Sequence, residues 1–177
     1  MIYMVEIDFD SAEHFADWNA WYNGNLPLIV TVPGVETAQR LEAIAPRAPR
    51  YLAIYTITDP DVFESEAYLD IGGGGKASSK WQDFIKRRRN LYAGLENVPE
   101  ITSRALFGVI DRDPNSLDLP DLLFVPLEAV ALAQSPRQRF VTVLNDPSAA
   151  AKLGEKAPDL AFYKPLGPRH VSPGRAS

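Results

Sequence analysis

Cysteine is absent from the chain, and histidine and methionine are scarce at two residues each. Without a thiol there is no disulfide framework, no thiolate nucleophile and no thiolate metal site, which suits a reducing compartment. The two histidines, His14 and His170, stand in no spacing with carboxylates that suggests a divalent ion. No metal and no cofactor is therefore expected. An excess of positive charge is also missing: 18 Lys and Arg against 23 Asp and Glu give a net charge of −5, so nothing global draws the chain to nucleic acid or to an anionic membrane. The opening residues, MIYMVEIDFD, carry no basic n-region and no apolar stretch of signal or spanning length, and the expectation is a soluble cytoplasmic protein. What remains is 177 residues, 46 % hydrophobic, enough for one large domain or two small ones around a real core.

Residues 2–9 (IYMVEIDF) alternate with a period of two, as a strand with one strongly apolar face does. Asp10 or Ser11 can cap a following helix that carries Phe15, Trp18, Trp21 and Tyr22 and runs to about Tyr22, where Asn23-Gly24-Asn25 signals a stop or kink. Pro33-Gly34 turns the chain into a strand over 35–44, and the β-rich run 51–57 (YLAIYTI) makes the next. Asp59-Pro60 opens a short helix that Gly72 to Gly75 break. A helical pattern resumes at 80–86 (KWQDFIK), with the basic run Lys86 to Arg89 as its solvated end, and 101–109 (ITSRALFGV) closes the unit as a strand. The order is β-α-β-β-α-β over residues 1–111. Residues 112–166 read as strand (122–132), strand (139–145), helix (147–156) and strand (160–166), a degenerate second half; if 101–109 also starts this half, the chain holds two ferredoxin-like units, the second having lost its first helix to the polar loop 111–121. Residues 167–177 are rich in Pro, Gly and Ser and read as a flexible tail or a surface-hugging arm.

Gly72-Gly73-Gly74-Gly75-Lys76 invites comparison with a phosphate-binding loop, but the position that needs the first glycine holds Asp70 and the one after the lysine holds Ala77. A mobile cover over a pocket is the reading that suits glycine there. His14, Trp18, Trp21 and Asn25 fall near one helical face by their spacing, which makes His14 a reserve base beside an aromatic stripe.

Trp21-Tyr22-Asn23-Gly24-Asn25-Leu26-Pro27, followed by Val32-Pro33-Gly34-Val35, resembles the EthD-like families of the dimeric α+β barrel superfamily. Arg40 on the second strand, Pro49 to Tyr55 on the third, and Asp59-Pro60 with Glu64 to Tyr68 agree in order, and the likeness covers about residues 1–110. It implies an α+β fold of ferredoxin-like units whose sheets close a barrel, either within one chain through the second half or between the two chains of a homodimer. Where the family has a histidine two residues before the proline, this chain has Asn25, an amide that does not titrate near neutral pH but donates and accepts hydrogen bonds.

The resulting expectation is a small cofactor-independent enzyme acting on an aromatic, polyketide-like or lactone molecule held in the barrel cavity, by lyase, dehydratase or isomerase chemistry. Asn25 would polarise a carbonyl, Tyr55 or Tyr51 would donate a proton, Arg40 would hold an acidic group, and Trp18, Trp21, Tyr3 and Tyr51 would line the ligand. A non-catalytic ligand-binding or oligomerisation module and a cofactor-free oxygenase are the alternatives.

Overall fold

A computed structural model of the chain describes residues 1–46 and 49–174. In chain order it holds β1 (Ile2–Phe9), α1 (Phe15–Ile29), β2 (Val35–Ala43), β3 (Tyr51–Ile57), α2 (Glu66–Asp70), β4 (Ile85–Ala93), β5 (Leu106–Ile110), β6 (Val125–Leu132), β7 (Gln138–Leu144), α3 (Ala150–Lys156), β8 (Ala161–Pro165) and β9 (His170–Val171). Every ladder is antiparallel. The strands run β3-β1-β4-β6-β7-β5-β8-β2, and β2 pairs back to β3, so eight strands close a barrel within one chain. The order β4-β1-β3-β2 of the first half recurs as β8-β5-β7-β6 in the second. Closure removes the free sheet edges that would otherwise template association. Among the described residues no helix is long and apolar enough to cross a membrane.

Period-two patterning sorts the wall into an inside and an outside. Ile2 and Met4 of β1, Leu52 and Ile54 of β3, Phe107 and Val109 of β5, and Tyr163 of β8 pack together within the barrel. Tyr3, Val5 and Ile7 of β1 face the other way, with Tyr51, Ala53 and Tyr55 of β3, and pack under α1 and the 62–81 segment. On the far side, Leu106, Ile110, Leu144 and Phe162 pack under α3 and Leu119.

Two elements depart from the sequence reading. The helix expected to stop near Tyr22 continues to Ile29, through Gly24 and Pro27. Trp18, Tyr22, Leu26 and Ile29 form one buried stripe at helical spacing, and Pro27 lies on the exposed side, where its missing N–H costs least. The run at 85–93, expected to begin as helix with a solvated basic end, is the strand β4 between β1 and β6, which closes the first half; 106–110 pairs with β7 and β8 and so starts the second, the alternative its sequence left open. In β4 the basic residues alternate. Arg88 stands opposite Glu6 and Lys86 opposite Asp8, while Arg87 and Arg89 project from the other face. The C-terminal segment is tied down as far as β9, which pairs with Thr37 and Ala38 of β2; residues 175–177 lie outside the described residues.

At one barrel mouth, Glu6 accepts from Arg88 at 2.7 and 2.9 Å and from Arg139 at 3.0 Å, and Arg139 also donates to Asp111 at 2.7 Å. Burial alone would raise the Glu6 carboxyl, but the hydrogen bonds and charges of the two arginines outweigh it and leave it below its ordinary value. A lowered folded value means that the stabilisation is complete above the unfolded carboxyl's pH of about 4.5 and is lost as pH falls through the folded value. Glu6→Gln is expected to lower unfolding free energy by about 3 kcal/mol at pH 7, because it leaves the buried Arg139 short of a charge. Urea denaturation at pH 7 and pH 3.5 checks this; equal losses at both would show that ionisation of Glu6 contributes nothing.

Arg40 of β2 ties α1 to the wall. Its side chain is 1 % exposed and donates from Nη1 to the Asn19 amide oxygen at 2.7 Å and to that of Asn23 at 3.2 Å. The guanidinium carbon lies 4.5, 4.6 and 5.0 Å from the ring centres of Trp18, Tyr22 and Tyr51. A lysine offers no planar face to these rings and is more strongly hydrated. Arg40→Lys is expected to cost about 2 kcal/mol, read as a lowered melting temperature; an unchanged one would show that stacking and the amide bonds do not hold the helix.

Candidate functional site

Because α1 is clamped at its middle by Arg40, its flank carrying Trp21, Tyr22, Asn25 and Ile29 stands over the outer face of β1, β3 and β4. Between them lies a cavity of about 80 Å³ whose floor is Tyr3, Val5 and Ile7 of β1 and Tyr55 of β3. Ile85, Arg87 and Arg89 of β4 form one side, and Tyr68 with the chain through Ala77 and Ser78 forms the cover. The site that gathers Tyr3, Tyr55, Trp21 and Asn25 is therefore outside the barrel, between its wall and α1, and not within it as expected. The reason is plain in the register: Tyr3 and Tyr55 are cross-strand partners on the outward face, and the inward face is filled by side chains.

Other recesses are built differently. One at the barrel mouth is lined by the mutually paired Glu6, Arg88, Arg139 and Asp111, a saturated charge network. Another, against the outer face of the second half, is lined by Leu117, Leu122, Leu123, Phe124 and prolines, without a tyrosine or a cation.

Phenols dominate the cavity under α1. The Tyr3 and Tyr55 rings are 5.1 Å apart, and the Tyr22 and Tyr55 hydroxyls meet at 3.4 Å, a long contact. Burial pushes Tyr3 and Tyr55 well above the ordinary tyrosine value, Tyr22 is raised by the same cause, and the nearby charges of Arg89, for Tyr3, and of Arg40 and Arg87, for Tyr22, oppose the shift. These groups are thus neutral hydrogen-bond donors at physiological pH. The described lining residues include no Asp, Glu or His, so the cavity offers amide, phenol, hydroxyl and guanidinium groups and no side-chain general base.

The cover owes its course to glycine. Gly72, Gly74 and Gly75 adopt φ of +82°, +69° and +110°, values a side chain resists. At Gly75 a Cβ would stand 2.6 Å from Arg87 Nη2, so the arginine lies directly on the glycine backbone.

Of the residues singled out from sequence, Tyr3, Tyr55, Trp21 and Asn25 share this lining. Trp18, Arg40 and Tyr51 lie behind it in the clamp that holds α1, with Trp18 stacked on Phe9 at 4.4 Å. Arg40 thus faces aromatic rings and not the cavity, which removes it as a holder of an acidic substrate group. His14 precedes the helix and packs on Phe84 at 4.9 Å, away from the lining, because Trp18 turns inward while Trp21 and Asn25 turn to the flank. Sequence reasoning did not find Tyr22, Tyr68, Ser78, Arg87 or Arg89. Period two applied to Lys86 to Arg89 would have separated Arg87 and Arg89 from their neighbours; nothing local marks the others.

No known protein family matches the chain, and no curated protein sequence does. The fold does have solved counterparts. The chain is similar to an anthrone oxidase-like protein, with a TM-score of 0.61 at 11 % identity over 99 % of this chain and 95 % of that one. It is also similar to a protein from Lactobacillus acidophilus described as a candidate monooxygenase, with a TM-score of 0.54 at 9 % identity over 97 % and 96 % of the two chains. At such identities the likeness is one of fold: an α+β protein with a closed antiparallel barrel, matched over nearly its whole length.

Proposed function

We propose that the protein is a small cofactor-independent oxygenase acting on a phenolic, polyketide-like aromatic, built as an EthD-like pair of ferredoxin-like units. The observation that carries this reading is the cavity of tyrosines, Trp21 and Asn25 under a glycine-rich cover. The names of the two structural counterparts, one anthrone oxidase-like and one a monooxygenase, favour oxygenation over the lyase or isomerase chemistry expected from sequence.

A substrate whose methylene is activated by flanking aromatic rings and a carbonyl supplies its own reducing electrons. Loss of one proton to solvent leaves a carbanion delocalised onto oxygen. Its carbon forms a bond to O₂ to give a peroxide, and departure of the second proton with cleavage of the O–O bond leaves a carbonyl and water. The balance is CH₂ + O₂ → C=O + H₂O. Asn25 would hold the oxygen on which charge develops, Tyr55 and Tyr22 would donate to the peroxide, and Trp21 would stack on a ring.

Anthrone is a suitable probe, with oxygen uptake and carbonyl formation measured above the spontaneous rate. Asn25→Ala is expected to lower kcat by about 100-fold, the cost of losing one donor to a developing oxyanion. Burial keeps Tyr3, Tyr22 and Tyr55 protonated through the assay range, so the wild-type rate should rise with pH up to the substrate's own ionisation and then level off. A rate that does not follow the substrate's ionisation as the substrate is varied would contradict the mechanism. The absence of a side-chain base also favours a second reading, a non-catalytic binding module, which would bind anthrone without any uptake of oxygen above background.

A further inference from the structure

Arg87 and Arg89 stand two residues apart on the outward face of β4 and line the cavity. Neither makes an ion pair with a carboxylate among the described residues, although the chain as a whole carries a net charge of −5. Their neighbour Arg88, on the opposite face, is fully engaged by Glu6. Within one run of basic residues, the two that face the cavity are left with their charge unmatched.

Arg87 has a neutral partner instead. Its Nη1 donates to Ser78 Oγ at 2.9 Å, and that hydroxyl in turn donates to the Gly75 carbonyl at 3.0 Å. The side chain lies against Gly75 so closely that a Cβ there would clash. Gly74, Gly75, Ser78, Ile85 and Arg87 together form the partition between the cavity of about 80 Å³ and an open recess of about 330 Å³ outside it. The inner cavity alone is far smaller than the roughly 300–1,000 Å³ that sites for ring-containing ligands occupy. Admitting such a ligand therefore requires this partition to move and the two spaces to merge.

We propose that the site selects aromatic ligands bearing an anionic oxygen, a phenolate or a carboxylate, and that Arg87 is the specificity-determining residue, held by Ser78 until the anion takes that hydroxyl's place. The inference rests on the cavity being the substrate site and names the class of molecule it takes. Exchange of a neutral hydroxyl for a charged oxygen strengthens each hydrogen bond roughly twofold, which favours the open, ligand-bound arrangement over the closed one. Arg89, next to Tyr3, adds a second positive charge to the same wall.

The test is calorimetric titration at pH 7.5 with two probes of one ring system, anionic 2-naphthoate and neutral 2-naphthamide. Wild type is expected to bind the carboxylate about tenfold more tightly than the amide, one charge-assisted contact's worth of preference. Arg87→Gln, at an exposed position that folding tolerates, should erase the preference by weakening naphthoate alone. Ser78→Ala, which frees Arg87 from its neutral partner, should tighten naphthoate several-fold. A preference that survives Arg87→Gln, or a wild type that binds the amide equally well, overturns the inference while leaving the cavity as the site. Failure of both probes to bind wild type overturns the reading of the cavity itself, and the inference with it.

Discussion

The Arg40 guanidinium is buried beneath α1 with two amide oxygens and three aromatic faces around it and no carboxylate. Its Nε and Nη2 find no acceptor among the described residues. Burial accordingly lowers its proton affinity, the opposite of what happens at Arg139, where carboxylates raise it. A bare cation in such a place is tolerable only for arginine, which is weakly hydrated and presents flat faces to rings. The arrangement fixes how α1 lies on the sheet. It turns Trp18 and Tyr22 toward the wall, leaves Trp21 and Asn25 on the flank, and so determines that a space remains between helix and barrel at all.

The barrel wall divides two kinds of chemistry. Inward, charge is matched: Glu6 holds Arg88 and Arg139, Gln39 bonds both the N–H and the carbonyl of Ile101, and Thr37 bonds Thr56, so polar side chains among packed apolar ones are satisfied. Outward, beneath α1, the polar groups are unmatched or weakly matched: a long tyrosine contact, two arginines without acids, and a serine standing where a stronger acceptor could. Polar groups are thus paired in the interior and left open to a further partner on the exterior. Closure within one chain allows this, because no partner is needed to fill the barrel.

Much of the fold was legible. The first strand, the β2–β3 pair and the strands and helix of the second half follow from alternation and from Pro and Gly at their ends. Two elements were not, for reasons of tertiary origin. Gly24 and Pro27 are local stop signals, yet burial of Leu26 and Ile29 against the sheet carries α1 past both. Lys86 to Arg89 are weak strand formers, and they become a strand through pairing with β1, about 80 residues away in sequence, where Arg88 meets Glu6. The site was half legible for a related reason. Period two shows which residues share a face, as with Tyr3 and its partner Tyr55, but not which face encloses the ligand. Tyr68 and Ser78 arrive through a glycine-rich segment whose path no local pattern dictates.

The proposed function requires ligand to bind outside the barrel, under α1. Hydrogen–deuterium exchange of the protein with and without a bound polycyclic phenol tests it directly. Slower exchange confined to residues 15–29 and 68–89 is the result the account requires. Slower exchange in β5, β7 and β8, with α1 unaffected, would place the ligand on the other side of the wall and contradict it.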